Sequence, residues 1–295
     1  MRIFTPLPGE YVASALQRGN EMLGIKTLVP ADFMIKAIPR KSYRRAPDDE
    51  VEYRTHALFK YPNWMIEQKT TTEILLNNTL FPITKALGRS NSNTVVTPRN
   101  WKKICPDCAL NDYENYGTAY VHRSHVQMSV HICSVHGAEL ITTCPKCLIP
   151  ILYHKLSQLG VCSQSYKNIS RQPGSLKHLH AGFVAGLLRY DGIQLTRHGA
   201  QWIVSWSLYL KYSGDEREND DYIAAGWELS GRKMNGAWVT TSDDSFMIQA
   251  FLGCGTAERY LHLLANKAAK AQLENEVSAL RNANIIARWK CESAN

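Results

Sequence analysis

The sequence predicts a mainly α-helical protein in which a cysteine-rich central segment separates two helical regions. Two observations support this class. Apolar residues recur at helical spacing on both sides of the centre, and six of the eight cysteines lie in the interval 105–162. We therefore expect a helical N-terminal domain over residues 1–100, a cysteine-rich segment over 101–170 and a helical C-terminal domain over 171–295.

Length and composition are those of a globular protein. A chain of 295 residues is long enough to bury its own core, and 44% apolar with 20% charged residues is an ordinary balance. The sequence contains no run of about 18 uncharged apolar residues, and its first residues lack the order of a secretory signal. We therefore expect no membrane association and a cytoplasmic location. The formal net charge of +8 favours polyanionic partners.

The N-terminal region predicts short helices separated by turns. Helical spacing from Tyr11 to Leu23 predicts a first helix that stops at Gly24, and a second is expected around 30–38. The helical pattern resumes after Tyr61, and its expected core residues are Ile74, Leu75, Leu80 and Phe81. Short helices joined by tight turns are compatible with a helix-turn-helix, but that motif does not by itself establish DNA binding.

A basic stretch lies between these helices and precedes an acidic run. A solvated linker is the interpretation we favour, since charge runs generally face water, and contact with nucleic acid or a partner is the alternative. The basic residues are Lys36, Arg40, Lys41, Arg44 and Arg45.

The C-terminal region has the strongest helical pattern. A break is expected at the sequence Gly-Cys-Gly around Cys254, with Thr256 capping the next helix. This spacing permits a second helix-turn-helix, with Arg259, His262 and Lys267 as candidate contacts, but we favour an ordinary helical hairpin, which nothing in the spacing excludes. The expected buried residues are Leu187, Leu188, Ile203, Val204, Trp206 and Leu210.

A narrow apolar stripe follows at Leu273, Val277 and Leu280. Such a stripe offers a surface for a homodimer. The two cysteines of this region, Cys254 and Cys291, lie far from the others in helical sequence, so we expect them to act as small apolar residues.

The central segment contains cysteine and histidine at the spacing of zinc ligands. It has two CPxC pairs and, between them, one CxxH pair. Zinc binds four nitrogen or sulfur ligands tetrahedrally, and a CxxC turn places two thiolates close enough to share one ion. In a reducing compartment this spacing indicates metal binding in preference to disulfides. The candidate ligands are Cys105, Cys108, Cys133, His136, Cys144, Cys147 and Cys162.

Two assignments of these ligands are open. In the more economical one, the first CPxC pair and the CxxH pair hold one zinc ion. The second CPxC pair and Cys162 then begin a second site, whose fourth ligand is His154, another histidine or absent. In the crossed assignment, the CxxH pair joins the second CPxC pair. We therefore expect one or two zinc ions, and we do not expect His131 to be a ligand.

The sequence predicts that the zinc is structural. A catalytic zinc keeps an open position beside a general base, but neither HExxH nor the deaminase pattern of HxE with PCxxC is present. The sequence also lacks a P-loop, GxSxG and GxGxxG. Cysteine-rich ligand sets favour an ion that stabilises a segment with few apolar residues. We therefore expect a protein that is not an enzyme.

The order of these motifs resembles the TniQ/TnsD family of bacterial transposon target-selection proteins. PLPGEYVASALQRG and NNTLFPITKALG are similar to family segments that precede the zinc region, so the resemblance covers about residues 5–165. In the zinc region it is carried by Cys105, Cys108, His122, Arg123, His125, Cys133, His136, Gly137, Leu140, Cys144 and Cys147.

The resemblance implies a function in choosing where a transposon inserts. In length the chain is similar to the shorter members, which act as adaptors. Some of these dock as a dimer on an RNA-guided CRISPR effector, such as Cascade with its crRNA and Cas proteins, and recruit an AAA+ regulator. We therefore expect an adaptor between such an effector and the AAA+ regulator with its transposase. A sequence-specific DNA-binding selector is the alternative within the family, and a zinc-containing regulator unrelated to transposition is the alternative outside it.

Overall fold

The computed structural model describes residues 5–24, 71–88, 98, 101–166, 169–193, 195, 197–212, 219–231 and 243–292. Over these residues the protein consists of α-helices joined by turns and isolated antiparallel bridges, without a β-strand. The prediction of a mainly α fold is confirmed. Among the same residues, we find no helix whose length and apolar character would suit a membrane span.

The helices are numbered in chain order over the described residues. They are α1 (Val12–Met22), α2 (Thr71–Asn78), α3 (Phe81–Ala86), α4 (Pro106–Tyr116), α5 (Arg123–Val126), α6 (Leu156–Ser163), α7 (Leu176–Leu187), α8 (Arg197–Lys211), α9 (Asp220–Ser230), α10 (Asp243–Cys254), α11 (Ala257–Ala265) and α12 (Lys267–Glu292).

The first predicted helix is confirmed as α1. Tyr11 has an extended backbone just before it, and Gly24 follows it with a φ of +70°. Glycine adopts this left-handed conformation at little cost because it has no Cβ. The side chains of Val12 and Leu16 are fully buried, and the Tyr11 N–H donates to the Val121 carbonyl at 2.8 Å. The helix is thereby attached to the central segment.

Several predictions fall outside the described residues. The helix expected around 30–38 is one of them, and the basic stretch is another. The basic residues concerned are Lys36, Arg40, Lys41, Arg44 and Arg45. The proposed linker and its alternative therefore stay predictions.

Most of the predicted core is confirmed. The N-terminal core residues Ile74, Leu75, Leu80 and Phe81 are buried. In the C-terminal region the buried residues are Leu187, Leu188, Ile203, Val204 and Cys254, while Trp206 and Leu210 are half-buried against the same core. Cys291 lies in α12 at a position whose side chain is not described.

The helix break near the C-terminus is confirmed. Helix α10 ends at Cys254, Gly255 has a φ of +78°, and the Thr256 side chain caps α11 by accepting from the Arg259 N–H at 3.2 Å. Helix α10 packs mainly on α8, and α12 packs on both α8 and α11. The interpretation of α10 and α11 as a helix-turn-helix stays a prediction.

The dimer surface expected on α12 is corrected by the structure. Leu273 and Val277 are buried within the chain, on the helix that packs against α8. Leu280 is half-buried. A narrow apolar stripe has the same sequence pattern whether the helix packs on a second molecule or on its own chain, so the sequence could not separate the two cases.

One hydrophobic core runs through the N-terminal, central and C-terminal described residues. Polar contacts join the same regions. The Arg123 guanidinium donates to the carbonyls of Leu76 and, at 3.0 Å, Leu188. The Tyr260 hydroxyl donates to the Ala86 carbonyl at 2.9 Å. The described regions therefore share a continuous core, and the domain boundaries at residues 100 and 170 stay predictions.

Close packing of α6 on α4 depends on a glycine. A Cβ added at Gly160 would lie 2.3 Å from the side chain of Tyr113, closer than any real contact. Because Gly160 lacks a Cβ, α6 can lie directly against α4. Helix α4 carries Cys108 and α6 carries Cys162, so this packing positions two candidate ligands.

Candidate metal centres

Four side chains from two short segments converge in what we call the first cluster: Cys105, Cys108, Cys133 and His136. Cys105 immediately precedes α4 and Cys108 lies in the first turn of that helix, where Pro106 suits the helix start. The other two residues lie in a turn closed by a Gly137 N–H that donates to the Cys133 carbonyl at 2.9 Å. Gly137 has a φ of +60°, which favours glycine.

The donor atoms of the first cluster are spaced as a tetrahedral ion requires. His136 Nδ1 lies 3.5 Å from Cys105 Sγ, 3.3 Å from Cys108 Sγ and 3.7 Å from Cys133 Sγ. The sulfurs of Cys108 and Cys133 are 3.7 Å apart. Zinc–sulfur bonds of about 2.3 Å at tetrahedral angles separate two sulfurs by about 3.8 Å. The cluster therefore fits one zinc ion.

The thiols of the first cluster are too close to ionise independently. Hydrogen bonds from Cys105 and Cys108 lower the pKa of Cys133 far below its usual range. Hydrogen bonding to Cys105 and Cys133 raises the pKa of Cys108 far above its usual range. Thiolates are the form that binds metal, so a divalent cation would supply the charge that lets all three ionise at neutral pH.

A second cluster consists of Cys144, Cys147, His154 and Cys162, whose ligand atoms all lie within 4.8 Å of one another. His154 Nε2 lies 3.6 Å from Cys162 Sγ. His154 Nδ1 lies 2.8 Å from the Lys155 carbonyl, so Nδ1–H donates there and Nε2 is left to face the sulfurs. The grouping is that of the economical assignment, with His154 in the fourth position, and the crossed grouping does not form.

The two clusters differ in exposure. All three cysteines of the first are buried, whereas Cys147 of the second is exposed and Cys162 is half-buried. The Tyr166 hydroxyl donates to Cys144 Sγ at 3.0 Å. The sequence held no signal for this contact, because tyrosine is not a zinc ligand and its position follows no ligand spacing.

Helix α1 is connected to the second cluster. The Glu21 carboxylate accepts from the Leu156 N–H at 2.9 Å and the Ser157 N–H at 3.1 Å, which satisfies the free donors at the start of α6. Gln17 Nε2 donates to the His154 carbonyl at 3.3 Å. The N-terminal helix therefore positions the segment that carries two of the four donors.

The remaining histidines of the central segment lie outside both clusters. His122 Nε2 pairs with Asp112 Oδ2 at 2.9 Å and its ring stacks on Tyr120 with 4.6 Å between centroids. His125 is buried, and His131 is exposed as expected of a residue that is not a ligand. His122 thus helps to pack the turn between α4 and α5, and buried His125 lies beside the Cys133 thiol without being one of the four residues grouped as ligands.

Of the candidate contacts to nucleic acid or a partner, the described ones are Arg259, His262 and Lys267, and all three are exposed on α11 and α12. Lys211 is also exposed, at the end of α8, and its Nζ donates to the Leu252 carbonyl at 2.7 Å. The C-terminal helices therefore present several cations at the surface.

The fold and the two clusters define a helical protein that could hold metal ions at Cys₃His sites. Residues 2–140 match the model of the TniQ family, and this part of the chain belongs to that family. The match contains the whole first cluster and ends before the second. No curated protein and no solved structure matches the chain. TniQ is an accessory domain of transposition without a catalytic role, so the family implies a part in selecting transposition targets.

Proposed function

We propose that this protein is a non-enzymatic adaptor that links a target-recognising complex to the AAA+ regulator and transposase of a transposon. The target-recognising complex is an RNA-guided CRISPR effector with its Cas proteins and crRNA, and the adaptor works beside it as a homodimer. The match of residues 2–140 to TniQ is the observation that carries the proposal. Each cluster offers four donors, the closed set typical of structural zinc.

Each cluster, in this proposal, holds one zinc ion that keeps the central segment folded. Metal analysis of the purified protein should then return two zinc ions per chain. A Cys133→Ser variant should lose the ion of the first cluster, because serine cannot replace the thiolate. A matched Cys254→Ala variant should keep both ions, since Cys254 is buried in α10 away from the clusters. One zinc per wild-type chain would contradict the assignment of an ion to each cluster, and less than one would reject both sites.

The adaptor function is tested by co-purification with the effector complex and with the AAA+ regulator of the same transposon. The wild-type chain should bind both, and insertion at guided targets in cells should require it. Absence of binding to both partners would refute the adaptor function.

A sequence-specific DNA-binding selector is the second candidate, and the exposed cations Arg259 and Lys267 on α11 and α12 favour it. Binding of the purified chain to duplex DNA at about 0.15 M salt separates the two functions. Weak binding that falls steeply with salt and ignores sequence is expected of the adaptor. Tight, sequence-selective binding that Arg259→Ala weakens would support the selector and overturn the adaptor.

A further inference from the structure

The loop between Cys147 and His154 carries four large apolar side chains at the protein surface. Leu148 is 76% exposed, Tyr153 64%, Leu152 44% and Ile149 42%. Single exposed apolar residues are normal on any protein, but a contiguous group of them marks an interaction surface. We call residues 148–153 the apolar loop.

Leu148 is unfavourable for folding in two ways. Its φ is +59°, and no other non-glycine residue among the described ones has a positive φ. A leucine in this conformation costs about 1–2 kcal/mol relative to a residue in an ordinary conformation. Its exposed side chain gains little from burial in return. Glycine would suit this position better in the isolated chain, so folding alone gives no reason for a leucine there.

The apolar loop is held in place by its ends and its middle. The Leu148 N–H donates to the Cys144 carbonyl at 2.9 Å, and the Cys144 N–H donates to the Ile149 carbonyl at 2.9 Å. Ile151 is fully buried, and its N–H donates to the Thr142 carbonyl at 2.8 Å. Binding through this loop therefore requires little ordering of the backbone, which favours affinity.

The charges around the apolar loop indicate the kind of partner. Residues 140–166 contain no aspartate or glutamate, and the Glu21 carboxylate that approaches this region from α1 is bound by the Leu156 and Ser157 N–H groups. Lys146 and Lys155 are exposed at the two ends of the loop. An apolar centre with a cationic border is complementary to an apolar pocket with carboxylates around it. Its mainly aliphatic side chains do not suit nucleic acid, where stacking rings and arginine dominate.

We propose that the apolar loop docks into an apolar, carboxylate-bordered pocket of a protein partner in transposition, with Leu148 as its anchor. The proposal rests on the adaptor function proposed above and adds the surface by which the adaptor holds one of its partners. The loop lies outside the residues matched to TniQ, which end at 140.

Two variants test the apolar loop. Leu148→Gly removes the anchor and relieves the backbone strain, and Leu152→Ser with Tyr153→Ser removes two further apolar side chains. Leu179→Ser is the matched control, because Leu179 is a 56% exposed leucine on α7. Affinity for the purified effector complex and the purified AAA+ regulator is measured by surface plasmon resonance, and the melting temperature is measured alongside.

Leu148→Gly should keep or raise the melting temperature while weakening binding to one of the two partners at least 10-fold. Binding to the other partner should be unchanged, and Leu179→Ser should bind both as the wild type does. Unchanged binding of both loop variants, or equal loss of both partners, overturns the proposal. If the wild type binds neither partner, the proposed adaptor function is refuted, and the docking proposal that rests on it is refuted too. Leu148-dependent binding to anionic phosphatidylglycerol vesicles, with partner binding unaffected, would replace the protein partner by a lipid surface.

Discussion

Replacement of His180 by leucine should remove a pH-sensitive weakness from the hydrophobic core. His180 lies on α7, is fully buried and packs edge-on against Phe251 with 5.4 Å between ring centroids. Neither ring nitrogen has a hydrogen-bond partner among the described residues. Burial, and after it the charge of His131, lowers the pKa of His180 to about 3.

The size of the effect follows from the difference between the folded and unfolded pKa values. An unfolded histidine has a pKa of about 6.5. Below that pH, His180 is therefore protonated in the unfolded chain but stays neutral in the folded protein. The free energy of unfolding therefore falls as the pH falls, by about 1.4 kcal/mol per pH unit. Between pH 7 and pH 5 the loss amounts to about 2 kcal/mol, and His180→Leu should abolish it.

Urea unfolding at pH 7 and pH 5, followed by circular dichroism with zinc in excess, measures the effect. Other groups also titrate in this range, but they are common to the wild type and the variant. The difference between the two pH dependences therefore isolates His180. At pH 7 the variant should be at least as stable as the wild type, since buried polar atoms without partners cost about 1–3 kcal/mol.

His262→Leu is the matched control, because His262 is exposed on α11. This variant should keep the wild-type dependence on pH. The same dependence in His180→Leu and in the wild type would show that His180 is not held neutral in the core, and the reasoning from its burial would be refuted.

Two further predictions concern the packing of α6 and the second cluster. Gly160→Ala should destabilise the protein by about 1–3 kcal/mol in urea, because its Cβ would overlap the facing helix. Gly182→Ala, at an exposed helical site with no atom within 4 Å of the added Cβ, should instead stabilise it by about 0.5–1 kcal/mol. Equal effects would contradict the close packing. Tyr166→Phe should weaken zinc binding at the second cluster about 10- to 100-fold in a chelator competition, since it removes the hydrogen bond to Cys144. Tyr153→Phe removes a hydroxyl from the exposed loop and should leave zinc binding unchanged. If Tyr166→Phe and Tyr153→Phe bind zinc with the same affinity, the Tyr166 hydroxyl has no role in holding the ion.

The local rules of sequence predicted much of the helical framework. The bounds of α1, the break after Cys254 and the cap at Thr256 depend on neighbours a few residues away, so they follow from propensity and turn chemistry. Periodicity also selected core positions such as Leu75 and Ile203. The same periodicity misplaced the stripe on α12, because it marks a buried face without saying which molecule buries it.

The sequence by itself determined the metal-capable pairs, since each pair lies within one short turn whose geometry its own spacing sets. It left open how the pairs combine and which residue completes the second set. The tertiary structure decided both, because Cys133 meets Cys108 across 25 residues, and Cys162, on the helix α6 that packs on α4, reaches the second pair and His154. The exposed, strained Leu148 is also a tertiary fact, since a leucine that follows a CPxC turn could equally be buried. Distant pairings depend on the packing of the whole chain, which local spacing does not contain.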